Sequence, residues 1–403
     1  MFLRRVPEWV RHAPVPSVKG FALLQGLEAA ARGILISAFP VLMYRSYRDA
    51  VLVSELFFAI GVFSLIWGLF VPWLIDRFPR RYVFTAGGFM FLVGAIAGTM
   101  APVKFVALAL LLTNVGVITM FICYNAYVLD FIAKAELGQV ETLRLFYSAI
   151  AWCVGPALGV WLMNYSERLP FAISAFAAIL LLCLFWYMRL GDGKLLTKQR
   201  HPSRNPLAYI LQFSKQPRLV AGWTFAVVRS CAWWVYVVYL PIFAVKNGLG
   251  EQVGGIALSI TNGILFATPI MLKWMQKHSI KHAVRVGFAY SGLLFIIATF
   301  TAELPWIALA GLFLGSTFLI LLDISAGLPF LMAVRPAQRT EMSAIYATYR
   351  DVSGILTPGA AWLVLLVAPV SGVFAASGAA LIMAWHLAGH MHPRLGQKRH
   401  KAT

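Results

Sequence analysis

Six charged residues stand well inside apolar runs long enough to cross a bilayer and make up their midspan charge: Glu28, Arg32, Arg229, Asp323, Arg350 and Asp351. A charge in hydrocarbon costs several kcal/mol unless it is paired, so each of the six needs a partner or a task. Glu28 and Arg32 lie four apart in "QGLEAAARGIL", the spacing that brings two side chains together on one helix face. Arg229 stands in "AVVRSCAWWVY", and Trp233 and Tyr236 continue its face, which predicts a charged site with aromatic walls. Asp323 is embedded in "LILLDISAGLPF". Arg350 and Asp351 are neighbours in sequence, so they point in different directions and need other partners, with a structural pair between spans 10 and 11 the expected use.

At about 1.5 Å of rise per residue, these groups fall within one shallow layer on the same side of the bilayer centre. A carboxylate in low dielectric takes up a proton more readily unless a cation keeps it ionised. Arginine keeps its proton and can only change partner. The device these residues suggest is an acid that binds a proton in one state and pairs with arginine in another. Glu28 or Asp323 would be the acid, and Arg229 or Arg32 the base. Mutual neutralisation of Glu28 and Arg32 on one helix face is the plainer alternative.

The elements that must position these groups follow from composition. The 403 residues are 60% hydrophobic and 12% charged, with mean hydropathy +0.78; a soluble domain carries about 25% charged residues. Apolar stretches at 20–44, 50–75, 82–101, 103–132, 143–164, 169–188, 219–245, 252–272, 284–301, 305–332, 342–368 and 370–391 predict twelve transmembrane helices. The class is all-α and integral to the membrane. Between spans 6 and 7 the polar, basic segment 189–218 reads as a linker, with "NPLAYILQF" forming a short interfacial helix. The expected domains are an N-tail (1–19), a six-helix bundle (20–188), the linker (189–218), a second bundle (219–391) and a basic C-tail (392–403).

The net charge of +19 reads as topology and gives no case for nucleic acid. Of 34 Lys and Arg, 26 fall in the tails and the even-numbered connections, and only Arg45, Arg48, Lys104, Arg168 and Lys246 in the odd ones. The positive-inside rule then places both termini in the cytoplasm, with anionic headgroups adding to the bias. Residues 1–19 hold four basic residues and three prolines without an apolar core, so no cleavable signal is expected. Cys123, Cys153, Cys183 and Cys231 all lie in apolar runs and read as packing residues. His386, His390 and His392 close span 12 as a basic interfacial cluster, and no metal or cofactor is expected. No HExxH, P-loop, GxSxG or CxxC occurs, which argues against an enzyme and against an ATP-driven pump.

The halves superpose at a near-constant offset: Pro40 on Pro241, Trp73 on Trp274 and Pro156 on Pro358. At the same offset Glu28 falls on Arg229, an acid opposite a base. The loop after span 2, "PWLIDRFPRRYVF", carries Asp76, Arg77, Arg80 and Arg81 in a pattern that resembles the loop 2–3 motif of the major facilitator superfamily, with Pro72 and Pro79 in place of two glycines. Span 5 carries "GPALG", from Gly155 through Pro156 to Gly159, which resembles part of the Gly-Pro motif of proton-driven exporters in that superfamily.

The resemblance implies two six-helix bundles related by a pseudo-twofold axis, alternating access, and a monomer. It also implies a central cavity lined by spans 1, 4, 7 and 10. That gives cavity roles to Glu28, Arg32, Arg229, Trp233, Tyr236 and Asp323, and on span 4 to Asn114, Phe121 and Asn125, with Asp130 nearer the cytoplasm. Asp76, Arg77, Arg80 and Arg81 would form a cytoplasmic latch, joined by Arg350 and Asp351. Pro156 and Pro358, with the glycines beside them, would let spans 5 and 11 flex. The resulting expectation is a proton-coupled exporter of a small organic solute in a bacterial inner or other plasma membrane. Two readings stand beside it: an organic-anion exchanger centred on Arg229 and Arg32, and a non-transporting scramblase or sensor that keeps the fold.

The topology is checked by cysteine labelling in a variant freed of its own four cysteines. A membrane-impermeant maleimide added to intact cells should modify a cysteine placed at Gly248 and leave one at Arg204 unmodified. The reverse pattern overturns the orientation.

Overall fold

The computed structural model describes residues 18–132, 137–188, 206–334, 342 and 345–391. The N-tail before residue 18, most of the linker (189–205) and the C-tail from 392 lie outside the described residues, as does the side chain of Asp130. Everything regular among the described residues is helical: α1 Val18–Tyr47, α2 Ala50–Arg77, α3 Arg80–Met100, α4 Pro102–Phe131, α5 Leu137–Met163, α6 Leu169–Tyr187, α7 Pro206–Ser214, α8 Pro217–Lys246, α9 Gln252–Gly263, α10 Thr268–His278, α11 Ile280–Phe300, α12 Pro305–Ser325, α13 Leu328–Ala333, α14 Tyr349–Leu365 and α15 Val370–Gly389. Eleven segments are long and apolar enough to cross a membrane. The twelfth expected span is represented by α14, which begins at Tyr349; of the expected beginning 342–348, residues 343 and 344 lie outside the described residues.

Two expected spans are not continuous helices. Span 8 is α9 and α10 joined by one 3₁₀ turn, Ile264–Ala267. Pro269 has no N–H to offer the carbonyl of Leu265, which accepts instead from the Thr268 backbone N–H and from the Thr268 hydroxyl at 2.8 Å. Span 10 stops at Ser325, turns, and resumes as α13. The linker helix foreseen in "NPLAYILQF" forms as α7. It buries Phe213 against Leu219, Phe330, Val334 and Met342.

The turns follow local chemistry. Arg48 takes a positive φ of 54° between α1 and α2, and the Asp49 carboxylate accepts from the Val51 N–H at 2.8 Å at the start of α2. Between α8 and α9, "NGLGE" turns through Gly248 and Gly250 at φ 72° and 97°, values that only glycine reaches without strain.

Contacts divide the chain into two compact units, Met1–Leu42 with Phe63–Gln199, and Met43–Val62 with Arg200–Thr403. The adjoining ends of α1 and α2 thus belong with the second unit. Within it Arg45 pairs with Glu251, the Tyr239 hydroxyl donates to Ser54 Oγ at 2.8 Å, and Phe58 stacks on Trp362.

In the first unit, α1 and α5 meet backbone to backbone. A Cβ on Gly155 would lie 2.7 Å from the carbonyl carbon of Gly33, and one on Gly159 would collide with the Ile34 carbonyl. Ser174 of α6 donates to the Ala31 carbonyl at 2.7 Å, and Phe84 stacks on Phe185 to join α3 to α6. In the second unit α8 is the most enclosed helix. It meets α11 through Phe225 and Phe288, α15 through Phe243 and Phe374, and α14 through a 2.7 Å bond between Ser230 and Ser353. The outward faces remain apolar, with Leu69, Ile270, Phe300 and Val367 strongly exposed. In water such a surface drives association; in a bilayer it is solvated.

Gly159→Val forces α5 off α1, and overpacking of this kind costs about 1–3 kcal/mol. A fall of several degrees in the thermal unfolding midpoint in detergent is expected. An unchanged midpoint means the helices do not approach this closely.

Candidate functional site

In the first unit α1 presents Glu28 toward α3, α4 and α6. Its Oε2 accepts from Gln25 Nε2 at 2.6 Å, one turn earlier, and its Oε1 lies 3.3 Å from Arg32 Nε, one turn later. The two ends of the pair differ in access. The Glu28 side chain is 11% exposed and that of Arg32 42%. Two narrow crevices, each with about 10 Å³ of room and so no larger than a water molecule needs, both open on Glu28, walled by Leu24, Phe84, Phe121, Tyr124 and Leu181 among others. No other charged residue lines either of them. The carboxylate thus faces an apolar cleft while its cation sits on the open side.

Arg32 is held from a second direction, its guanidinium 4.8 Å from the centre of the Trp152 ring. Trp152 is three residues before Gly155, so the glycine approach that joins α5 to α1 also delivers this ring. Neither Gln25 nor Trp152 was picked out from the sequence. Gln25 was legible there as the residue three before Glu28, whereas Trp152 becomes visible only once α5 is docked.

On α4, Phe121 lines one crevice, and Asn114 and Asn125 lie seven residues before and four after it on the same helix face. Both asparagines are half-buried, and neither side chain makes a hydrogen bond among the described residues. Each therefore keeps its amide free for a ligand.

In the second unit, Arg229 of α8 pairs with Asp323 of α12. Here the accessibility is reversed: the Arg229 side chain is 15% exposed and that of Asp323 45%. Two helices, α8 and α12, thus join one arginine to one carboxylate. On α14 the Arg350 Nε donates to the Tyr349 hydroxyl at 3.2 Å, and its guanidinium lies 5.7 Å from the centre of the Tyr349 ring. The Tyr346 ring is 5.4 Å from that of Tyr349 and stacks on Phe330 at 4.0 Å. The two tyrosines were absent from the expected site, because 345–349 is separated from α8 by more than a hundred residues.

The aromatic continuation of the Arg229 face is corrected in part. Trp233 is half-buried, but Tyr236 is 1% exposed and belongs to the interior of the unit. Its hydroxyl bonds Thr261 at 2.8 Å, and Thr261 bonds Ser316 at 2.9 Å. Residues 229 and 236 share a helix face, but at the level of Tyr236 α9 and α12 close over it.

The loop after α2 spreads its cations over aromatic rings of its own unit. Arg77 lies 5.7 Å from the ring centre of Trp73, Arg80 5.1 Å from Tyr127, and Arg81 4.8 Å from Tyr82. Asp76 is exposed and makes no hydrogen bond or ion pair among the described residues. Pro156 and Pro358 lie inside α5 and α14 as expected, with Gly155 and Gly159 engaged in close packing against α1.

The family described as Major Facilitator Superfamily matches residues 21–358. No curated protein sequence matches. Among solved structures, the nucleoside transporter NupG superposes with a TM-score of 0.71 at 13% identity, over 93% of this chain and 99% of that one. The peptide transporter POT in complex with sulfate gives 0.70 at 15% identity over 94% and 95%, and the POT family transporter PepTSo 0.67 at 11% over 93% and 97%. At these identities the likeness is one of fold.

The hold of Trp152 on Arg32 is measurable. A double-mutant cycle of Arg32→Gln and Trp152→Leu, read by thermal unfolding, should return a coupling of about 0.5–1 kcal/mol. Strictly additive effects mean that the guanidinium does not rest on the ring.

Proposed function

The chain belongs to the major facilitator superfamily, and on that premise we propose that it couples proton movement to the export of a small organic solute. Membership carries secondary transport by a multi-pass membrane protein; the coupling, the direction and the solute are our reading.

The observation that carries it is the arrangement at Glu28: a nearly enclosed carboxylate facing an apolar cleft, bound to an arginine that sits on the open side. The groups that face it are Gln25 and Arg32 on its own helix and Tyr124 on α4; α3 and α6 contribute only apolar residues and Gly88 to the clefts. In one state Arg32 holds the carboxylate ionised. When Arg32 turns away to the ring of Trp152 alone, the carboxylate is left in an apolar cleft and takes a proton. Proton binding and release are thereby tied to a side-chain movement of α1 and α5. The Asp323–Arg229 pair is the corresponding element of the second unit and belongs to solute recognition. Asp76, Arg77, Arg80 and Arg81 serve as the cytoplasmic latch, the exposed carboxylate of Asp76 being free to engage when the transporter changes state. The likeness of "GPALG" to part of the exporter motif supports outward movement. Nucleoside and peptide transporters with this fold support a polar organic solute.

A second reading, exchange of organic anions centred on Arg229 and Arg32, is favoured by the enclosed guanidinium of Arg229 beside Asp323. It needs counter-substrate and no proton.

Reconstitution into liposomes with a trapped pH dye separates them. Addition of panels of nucleosides, dipeptides and organic acids should produce solute-dependent proton movement, at least tenfold reduced in Glu28→Gln. Solute counterflow in that variant should persist. Proton movement unchanged in Glu28→Gln removes Glu28 from the role, and counterflow without any proton movement in the unsubstituted protein selects the exchanger.

A further inference from the structure

One arginine of the second unit has no acid to answer it. Arg285 lies five residues into α11, about 7.5 Å of rise from the start of the helix at Ile280. Its Nε is buried and makes no hydrogen bond. The only interaction of its guanidinium among the described residues is with the Trp385 ring of α15, 5.2 Å to the centre. Arg32 and Arg229 each lie against a carboxylate; Arg285 does not. The helices packed around it offer none. No acid occurs in α8, α10, α11 or α15, and the acid of α12, Asp323, is taken by Arg229. The C-tail that follows α15 is basic and also holds none. A cation at this depth stays uncompensated until an anion from outside the chain reaches it.

The place where it sits is a shaped notch. Along their middle α11 and α15 touch closely: a Cβ on Gly292 would come 2.9 Å from Ile382, and one on Gly378 2.7 Å from Ile296. Toward the membrane surface the seam is filled by larger groups, first Arg285 with Trp385, then Lys281. The Lys281 Nζ donates to the carbonyls of Gly389 and Met391 at 2.7 and 2.6 Å. Those bonds close the C-terminal end of α15 and fix a second cation one turn from Arg285. His282 stands beside Lys281, its ring centre 5.7 Å from that of Trp274, and adds a donor at the rim. Farther along the two helices the apolar side chains of Leu293 and Met383 are exposed. A ligand for this notch needs an anionic head at the level of Arg285 and apolar chains that continue down the helices. An anionic phospholipid has both; a soluble phosphate has the head alone. The charge distribution assigns this end of the unit to the cytoplasm, and the cytoplasmic leaflet is the negative one.

We infer that Arg285, seated on Trp385 and flanked by Lys281, binds the phosphodiester of an anionic phospholipid at the seam of α11 and α15. The guanidinium offers a planar fork of donors that matches phosphate oxygens. The indole face holds that fork extended while the arginine stem lies along apolar surface. A second cation with no acid nearby favours a headgroup of net negative charge over a zwitterionic one. The bound lipid joins two helices, so its binding stabilises the folded unit. The inference holds whichever solute is carried, and it does not use the coupling assigned to Glu28.

The test is thermal unfolding of the purified full chain in a neutral detergent. Three probes are compared: phosphatidylglycerol, phosphatidylcholine of the same acyl chains, and inorganic phosphate. Phosphatidylglycerol should raise the midpoint by several degrees, phosphatidylcholine by much less, and phosphate not at all. Arg285→Gln should weaken the response to phosphatidylglycerol at least threefold, whereas Lys104→Gln, at the opposite membrane surface, should leave it unchanged. If Arg285→Gln does not fold, a photoreactive phosphatidylglycerol is cross-linked to the unsubstituted protein in bilayer discs and the adducts are mapped by mass spectrometry. Adducts on 280–293 or 382–391 support the site, and adducts confined to other segments overturn it. Equal shifts from the two lipids, a shift from inorganic phosphate, an undiminished response in Arg285→Gln, or no shift from any probe also overturns the inference.

Discussion

A carboxylate in hydrocarbon must have a cation within bonding reach, and both units are built around that requirement. In the first unit the cation is one turn away on the same helix, so the pair needs no other helix to exist. What it needs other helices for is its setting. Gly155 and Gly159 allow α5 to lie on the backbone of α1 at Gly33 and Ile34. That approach brings Trp152 under Arg32 and so gives the guanidinium a second place to rest. Enlarging either glycine would disturb the packing and the ion pair together. In the second unit the cation comes from another helix, so the pair itself records how α8 and α12 meet.

The two pairs are opposite in access. At Glu28 the acid is enclosed and the base is open; at Asp323 the base is enclosed and the acid is open. At the offset read from the sequence, residues 28 and 229 coincide, and each is the more enclosed member of its ion pair, with the sign of charge exchanged.

The bilayer imposes a second demand, that every backbone group find a partner inside the protein. The break in span 8 meets it locally, through the Thr268 hydroxyl on the Leu265 carbonyl. Cations near the membrane surface meet a comparable demand with aromatic faces. Arg77, Arg80 and Arg81 all lie over rings of their own unit, where the side-chain stems stay apolar and the charge is still balanced in part.

The spans, the linker helix at "NPLAYILQF" and the positions of the intramembrane charges were determined by the sequence alone, because hydrocarbon tolerates so few charges that each one stands out. The Glu28–Arg32 pair was legible for the same reason, its members being one turn apart. Tertiary structure decided the rest, because it depends on contacts distant in sequence or on what covers a helix face. Arg229 takes Asp323 from 94 residues away. Helical spacing put Tyr236 on the face of Arg229, yet only the packing of α9 and α12 reveals that it is buried and bonded. A helix face is a periodic property that one segment carries by itself; whether that face meets solvent, lipid or another helix is a property of its neighbours.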